Sequence, residues 1–210
     1  MIDRKSEILK IMNEILPEQF FKSSGNIAMF CEEHSRDTVH GFLKAFREAV
    51  ERAVILQNRG EKGKMGYILF SYLYSSIFLK RYFIRIDLMD CGFYSDTAQS
   101  TSYWDAGSIY HLFEEDVETI RKEIGKHIPR IREYEADYIR YAYAPYYHGI
   151  ARDFIQSMLE EVIPEANFLP KRVDMEERVQ ILFGEYMGQA DVLFTLGEEA
   201  GDEVFQNICG

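Results

Sequence analysis

The chain has 210 residues, of which 47% are hydrophobic and 28% charged, a composition that excludes a disordered or membrane-embedded protein. Its 24 lysines and arginines against 35 aspartates and glutamates give a net charge of -11. Such a chain repels phosphate backbones and anionic lipid unless its basic residues are segregated, and no run of lysine and arginine exceeds two residues. We therefore expect no nucleic-acid partner and no membrane partner.

The cysteines and the N-terminal sequence favour a cytoplasmic location. Cys31, Cys91 and Cys209 are far apart and form no CxxC pair, which predicts reduced thiols. The first ten residues, MIDRKSEILK, carry charges where a signal peptide needs an apolar segment. The longest nearly uncharged stretch, residues 65–79, is about five residues shorter than a membrane span.

The N-terminal third of the sequence predicts two helices. Residues 3–16 carry apolar side chains at helical spacing, and Pro17 is predicted to end this helix. The second helix begins near Asp37, which can cap its first turn, and ends before Gly60. Its apolar positions recur at three- and four-residue steps, which indicates one buried face.

The next segment predicts a helix followed by a small β-hairpin. Residues 65–79 are apolar nearly all round, a pattern that buried helices and buried strands share, and their length favours a helix. Residues 82–88 alternate apolar and polar side chains, as a half-buried strand does. A turn at Cys91 and Gly92 then predicts a short returning strand, which places the hairpin near residues 82–95.

The C-terminal half predicts three more helices. Polar residues 95–108 predict an irregular connection, and the helix after it ends near His127 with an acidic face that we interpret as solvated surface. Another helix begins at Asp174, although the segment 190–196 could instead be a strand. The acidic, glycine-rich tail, approximately residues 198–210, is predicted to be mobile.

Between these two helices lies the longest segment that forms one element, residues 129–162, and its middle is rich in tyrosine. Pro145 removes one backbone hydrogen bond, so it is predicted to divide the helix into two halves. His148 and Arg152 follow on or near the face predicted to be buried. Because an unpaired buried guanidinium is costly, Arg152 must contact an internal carboxylate, a ligand or water.

The sequence contains none of the common catalytic or nucleotide-binding motifs, such as GxGxxG, GxxxxGK[ST], HExxH and GxSxG. His111 and Glu115 could share a helix face, but the repeated Glu-x-x-His unit of di-iron bundles is absent. We therefore predict no metal site and no cofactor. A metal-dependent helical-bundle enzyme is the weakest of the alternatives.

The expected fold is mainly α, a single helical domain spanning residues 1–210 with a small β-hairpin. The function that we favour is a non-enzymatic interaction or regulatory module of the bacterial cytoplasm, which binds a protein partner or associates with itself. The alternative is a small-molecule binding protein or enzyme with a pocket at the Pro145 bend. Its candidate ligand-binding residues are Tyr138, Tyr141, His148 and Arg152, and the arginine would bind a small anionic ligand.

Overall fold

A five-stranded mixed β-sheet with helices around it forms the centre of the fold in the computed structural model, which describes residues 4–162 and 173–197. Helices account for 58% of the structure and strands for 22%, so the fold is α/β. The expectation of a mainly α helical bundle with a hairpin near residues 82–95 is therefore wrong. The prediction missed the sheet, because three of its strands come from segments predicted as helix or as irregular chain.

Helices and strands are interspersed along the chain. The helices are α1 (Arg4–Glu33), α2 (Ser35–Asn58), α3 (Tyr74–Leu79), α4 (Phe113–His127) and α5 (Glu133–Val162). The strands are β1 (Met65–Tyr72), β2 (Phe83–Asp90), β3 (Ser100–Asp105), β4 (Met175–Glu185) and β5 (Ala190–Leu196). The sheet order is β3-β2-β1-β4-β5, in which β1 and β4 run parallel and the other neighbours run antiparallel.

Strand β1 lies at the centre of the sheet, and six of its eight residues are buried. A strand buried on both faces carries an uninterrupted apolar run, and a buried helix carries the same pattern. The helix predicted over residues 65–79 is therefore wrong for β1. Only the last six residues of that segment, α3, are helical.

Strand β2 confirms the strand predicted from the alternation at residues 82–88, but its partners are β1 and β3 instead of a local return. β3 comes from the polar segment that was predicted to be irregular. The hydroxyls of Ser100 and Ser102 are buried in this strand and donate to the carbonyl oxygens of Leu88 and Ala45. Satisfied hydrogen bonds therefore allow a polar segment to form a buried strand.

The helix predicted from Asp174 is instead the hairpin of β4 and β5, so the prediction is wrong and the alternative strand at 190–196 is correct. Val179, Ile181 and Phe183 of β4 lie in the main core and Leu182 lies in the cluster on the other face, which is a two-residue period. At Gly184 the two strands approach so closely that a Cβ atom would overlap the backbone of Gln189 and Ala190. A glycine at this position therefore permits the pairing.

Two prolines that were predicted to end or divide helices lie inside them. α1 continues through Pro17 to Glu33, and α5 runs without interruption through Pro145. Each proline removes one backbone hydrogen bond, but the helix on either side is held by its tertiary contacts. Both predicted breaks are therefore wrong.

Most of the loop expected at residues 163–174 and the acidic tail expected at 198–210 lie outside the described residues. Among the helices that the structure describes, none has the length and apolar character needed to cross a membrane. The main hydrophobic core lies between the sheet and the helices, and a smaller cluster, Leu69, Met89 and Leu182, lies on the outer face of the sheet.

Candidate functional site

The four predicted ligand-binding residues all lie on α5, but they do not share one site. His148 and Arg152 border a cleft between α5 and the β4–β5 hairpin. Tyr141 packs against α3, and Tyr138 lines a separate groove near the start of α5. The structure therefore brings together two of the four residues.

The cleft, which we call the His148 cleft, has a volume of about 250 Å³. One wall comes from α5, and the other comes from the ends of β1 and β4 and the start of β5. Its lining residues are Tyr72, Pro145, His148, Gly149, Arg152, Phe183, Gly184, Gln189 and Asp191. The volume lies just below that of typical ligand pockets, which span roughly 300–1,000 Å³, so the cleft suits only a small molecule.

His148 is the buried polar side chain of the cleft and is only 9% exposed. Its ring stacks on Tyr72 with the centroids 3.9 Å apart, and its Nδ1 atom lies 2.5 Å from the Tyr110 hydroxyl oxygen. Burial lowers the pKa of His148 to about 3, so the ring is neutral at pH 7. With Nδ1 occupied, Nε2 is the ring nitrogen left for a ligand.

Tyr110 determines how that nitrogen can act. The tyrosine is buried, its ring stacks on Tyr82 with the centroids 4.7 Å apart, and burial raises the pKa of its hydroxyl, so the hydroxyl stays protonated. A Tyr110 hydroxyl that donates to Nδ1 of His148 fixes the ring proton on Nε2. Nε2 is then a hydrogen-bond donor, which suits an acceptor oxygen on a ligand.

Arg152 lies at the edge of the cleft and not on the buried face where the sequence placed it. Its side chain is 44% exposed, and its Nη2 atom lies 2.8 Å from a carboxylate oxygen of the neighbouring Asp153. An exposed ion pair of this kind contributes about 0–1 kcal/mol. Arg152 can therefore exchange Asp153 for an anionic group in the cleft at little cost.

Asp116 is a buried acid of α4 that the sequence reasoning missed, because the whole acidic run was interpreted as solvated surface. It is 4% exposed and accepts hydrogen bonds of 2.6–2.8 Å from four side chains, Gln19 and Ser23 of α1 and Tyr143 and Tyr147 of α5. Four donors stabilise a buried carboxylate without an adjacent cation. The network joins α1, α4 and α5, the helical body that holds His148.

The metal candidates of the sequence have other contacts. The His111 ring stacks on Phe30 with the centroids 3.9 Å apart, and its Nδ1 atom lies 2.9 Å from the Ser108 carbonyl oxygen. Over residues 4–162 and 173–197, no group of three or more His, Cys, Asp or Glu side chains is arranged to hold a metal.

Four polar groups surround the His148 cleft. They are the neutral imidazole of His148, the exposed guanidinium of Arg152, the carboxylate of Asp191 and the primary amide of Gln189. The arrangement can bind a ligand by hydrogen bonds to both donors and acceptors. The chain matches no protein-family model, no curated protein and no solved structure.

Proposed function

We propose that this protein binds a small anionic molecule in the His148 cleft. The observation that supports it most is the placement of His148, a buried neutral ring that Tyr110 orients and that borders a cleft with Arg152 at its edge. The Nε2–H group and the guanidinium are both donors, and both suit the oxygens of a carboxylate or phosphate group. Catalysis is not part of the proposal.

The wall opposite α5 restricts the charge that the ligand can carry. Asp191 borders the cleft from β5, and its carboxylate repels a second negative charge but accepts hydrogen bonds. A singly charged molecule that also carries hydroxyl or N–H groups matches both walls. Small hydroxycarboxylic acids have this chemistry and fit the volume.

A thermal-shift screen tests the proposal with a panel of small carboxylates, hydroxycarboxylates and inorganic phosphate. A ligand at 100 times its dissociation constant stabilises the folded state by about 2.7 kcal/mol, which raises the melting temperature of a chain of this size by roughly 5–10 °C. We expect at least one hydroxycarboxylate to give such a shift. A panel without any shift would contradict the proposal.

An arginine substitution connects that shift to the cleft. Arg152→Ala should remove the ligand-induced shift and leave the melting temperature of the free protein within about 4 °C, because the lost ion pair is exposed. Arg121→Ala is the matched control, since Arg121 on α4 is 46% exposed and also faces a carboxylate of its own helix. Equal shifts in both variants would contradict the role of Arg152.

We infer a second candidate function, binding of a protein partner or of a second copy of this chain, from the exposed surface of α3. Tyr74, Phe78 and Leu79 are 58%, 64% and 61% exposed, although they lie within one short helix. Clustered apolar side chains on a surface are typical of protein interfaces. A cytoplasmic location belongs to the same proposal.

Sedimentation over a range of protein concentrations tests this second proposal. Self-association would raise the average mass with concentration, and Phe78→Glu should return the protein to the monomer. Phe21→Glu is the control, because Phe21 is 82% exposed but lies on α1. A wild-type chain that stays monomeric and retains no protein from a lysate would contradict the proposal.

A further inference from the structure

A second cleft lies on the outer face of the sheet, opposite the main core, and we call it the outer cleft. Its volume is about 270 Å³. β2 forms the floor, and the walls are the segment that follows β2 and the turn between β4 and β5. It shares no lining residue with the His148 cleft, so the two can be tested separately.

The floor of the outer cleft is a buried ion pair. Nε and Nη2 of Arg85 donate to the carboxylate of Asp87 at 2.6 and 2.9 Å, and the two side chains are 12% and 5% exposed. The hydroxyl of Thr101 also donates to Asp87. The pair is therefore held in a fixed orientation beneath the cleft.

One wall is held by a second buried ion pair. Asp96 lines the cleft and pairs with Lys62, and these side chains are 4% and 0% exposed. Among the ion pairs of residues 4–162 and 173–197, these two have the lowest exposure, and they border the same cleft. Because apolar side chains often stabilise a fold as well as a buried ion pair does, stability alone does not account for the two pairs at this cleft.

Aromatic side chains form the rest of the cleft. The Tyr186 ring lies over the guanidinium of Arg85 at 4.3 Å, and the Tyr94 hydroxyl accepts a hydrogen bond from the Met187 backbone N–H at 2.9 Å. Phe93 and Met187 also line the cleft, and both have positive φ angles, 50° and 58°. Strained backbone of this kind concentrates at binding sites, where the surrounding structure holds it in place.

We propose that the outer cleft binds an uncharged, flat ring compound of the nucleobase or nucleoside class. Arg85, Asp87 and Asp96 each have an internal partner of opposite charge, so the cleft offers no unpaired charge to an ion. A guanidinium beside a carboxylate offers donors and acceptors to the edge of a heterocycle, and the aromatic rings offer flat apolar surface. Among the described residues of this cleft a phosphate group would find no free cation, because Arg85 and Lys62 already pair with Asp87 and Asp96.

Isothermal titration of the full chain with adenosine, guanosine, cytidine and uridine tests this proposal. We expect at least one nucleoside to bind, and its 5′-monophosphate to bind more weakly. Tyr186→Ala should weaken binding about tenfold or more, whereas Tyr186→Phe keeps the ring and should bind like the wild type. Phe93→Ala provides an independent loss of aromatic surface if the first variant does not fold.

Two further measurements complete the test. The double variant Arg85→Met/Asp87→Leu replaces the ion pair by apolar side chains and should abolish nucleoside binding while circular dichroism stays native. Arg152→Ala, at the edge of the His148 cleft, should leave nucleoside binding unchanged. The proposal is overturned if none of the four nucleosides binds, or if binding survives both the Tyr186→Ala change and the double variant.

Discussion

The Tyr110 hydroxyl oxygen lies 2.5 Å from Nδ1 of His148, so a tyrosine in the segment before α4 orients a histidine of α5 beside the end of the central strand β1. Both side chains are buried, at 3% and 9% exposure. A buried hydroxyl and a buried ring nitrogen that satisfy each other avoid the cost of an unpaired polar group. They also leave the other ring nitrogen available to a ligand.

The first prediction concerns the pH dependence of stability. Burial lowers the pKa of His148 from 6.5 to about 3, so the unfolded chain binds the proton first as the pH falls. The contribution of the neutral His148 to stability is complete above about pH 6.5 and is lost as the pH falls toward 3. Between pH 6.5 and pH 5 the free energy of unfolding should decrease by about 2 kcal/mol. We expect urea denaturation to show this fall in the free energy of unfolding.

Two histidine variants test whether His148 causes this pH dependence. His148→Gln cannot titrate and should flatten the profile between pH 6.5 and pH 5. His127→Gln should retain the wild-type slope, because His127 is exposed at the end of α4. A wild-type profile that is already flat over this interval would contradict the burial of a neutral His148.

The second prediction concerns Asp116 and its four donors. Asp116→Ala leaves buried hydroxyls and an amide on α1 and α5 without an acceptor, and we expect the free energy of unfolding to fall by about 3–5 kcal/mol. Glu115→Ala, the exposed neighbour on the same helix, should change it by less than about 0.5 kcal/mol. Urea denaturation measures the free energy of unfolding of both variants. Equally small decreases would show that the hydrogen bonds to Asp116 do not stabilise the fold.

The third prediction contrasts two glycines that border the His148 cleft. A Cβ atom at Gly149 meets no atom within 4 Å, so Gly149→Ala should stabilise α5 by about 0.5–1 kcal/mol. A Cβ atom at Gly184 would overlap the backbone of β5, so Gly184→Ala should lower the free energy of unfolding. Chemical denaturation of the two variants would contradict this geometry if both changes had the same sign.

The sequence predicted the helices with a clear apolar face better than it predicted the sheet. α2 is confirmed because its apolar residues follow one helical face, and β2 is confirmed because its side chains alternate. The prediction for β1 was wrong because a central strand is buried on both faces and its sequence lacks the alternation of apolar and polar residues. The prediction for β3 was wrong because its serines, whose hydroxyls are buried and hydrogen-bonded, are residues typical of a loop. Both failures depend on partners that are distant in the chain.

The candidate site was predicted in part for the same reason. A histidine and an arginine four residues apart on one helix are visible in sequence, and both border the cleft. Their partners are not visible, because Tyr72 and Asp191 come from strands and Tyr110 comes from a turn. Arg152 was expected on or near the buried face of its helix, but its side chain is 44% exposed in the structure.

The central claim is that a ligand occupies the His148 cleft, and isothermal titration of position 149 variants tests it most directly. The titrant is the hydroxycarboxylate that gives the largest thermal shift with the wild-type chain. Gly149→Leu places a side chain in the open space of the cleft and should abolish binding, whereas Gly149→Ala adds one methyl group and should retain measurable affinity. Binding of that compound to Gly149→Leu with wild-type affinity would contradict the claim.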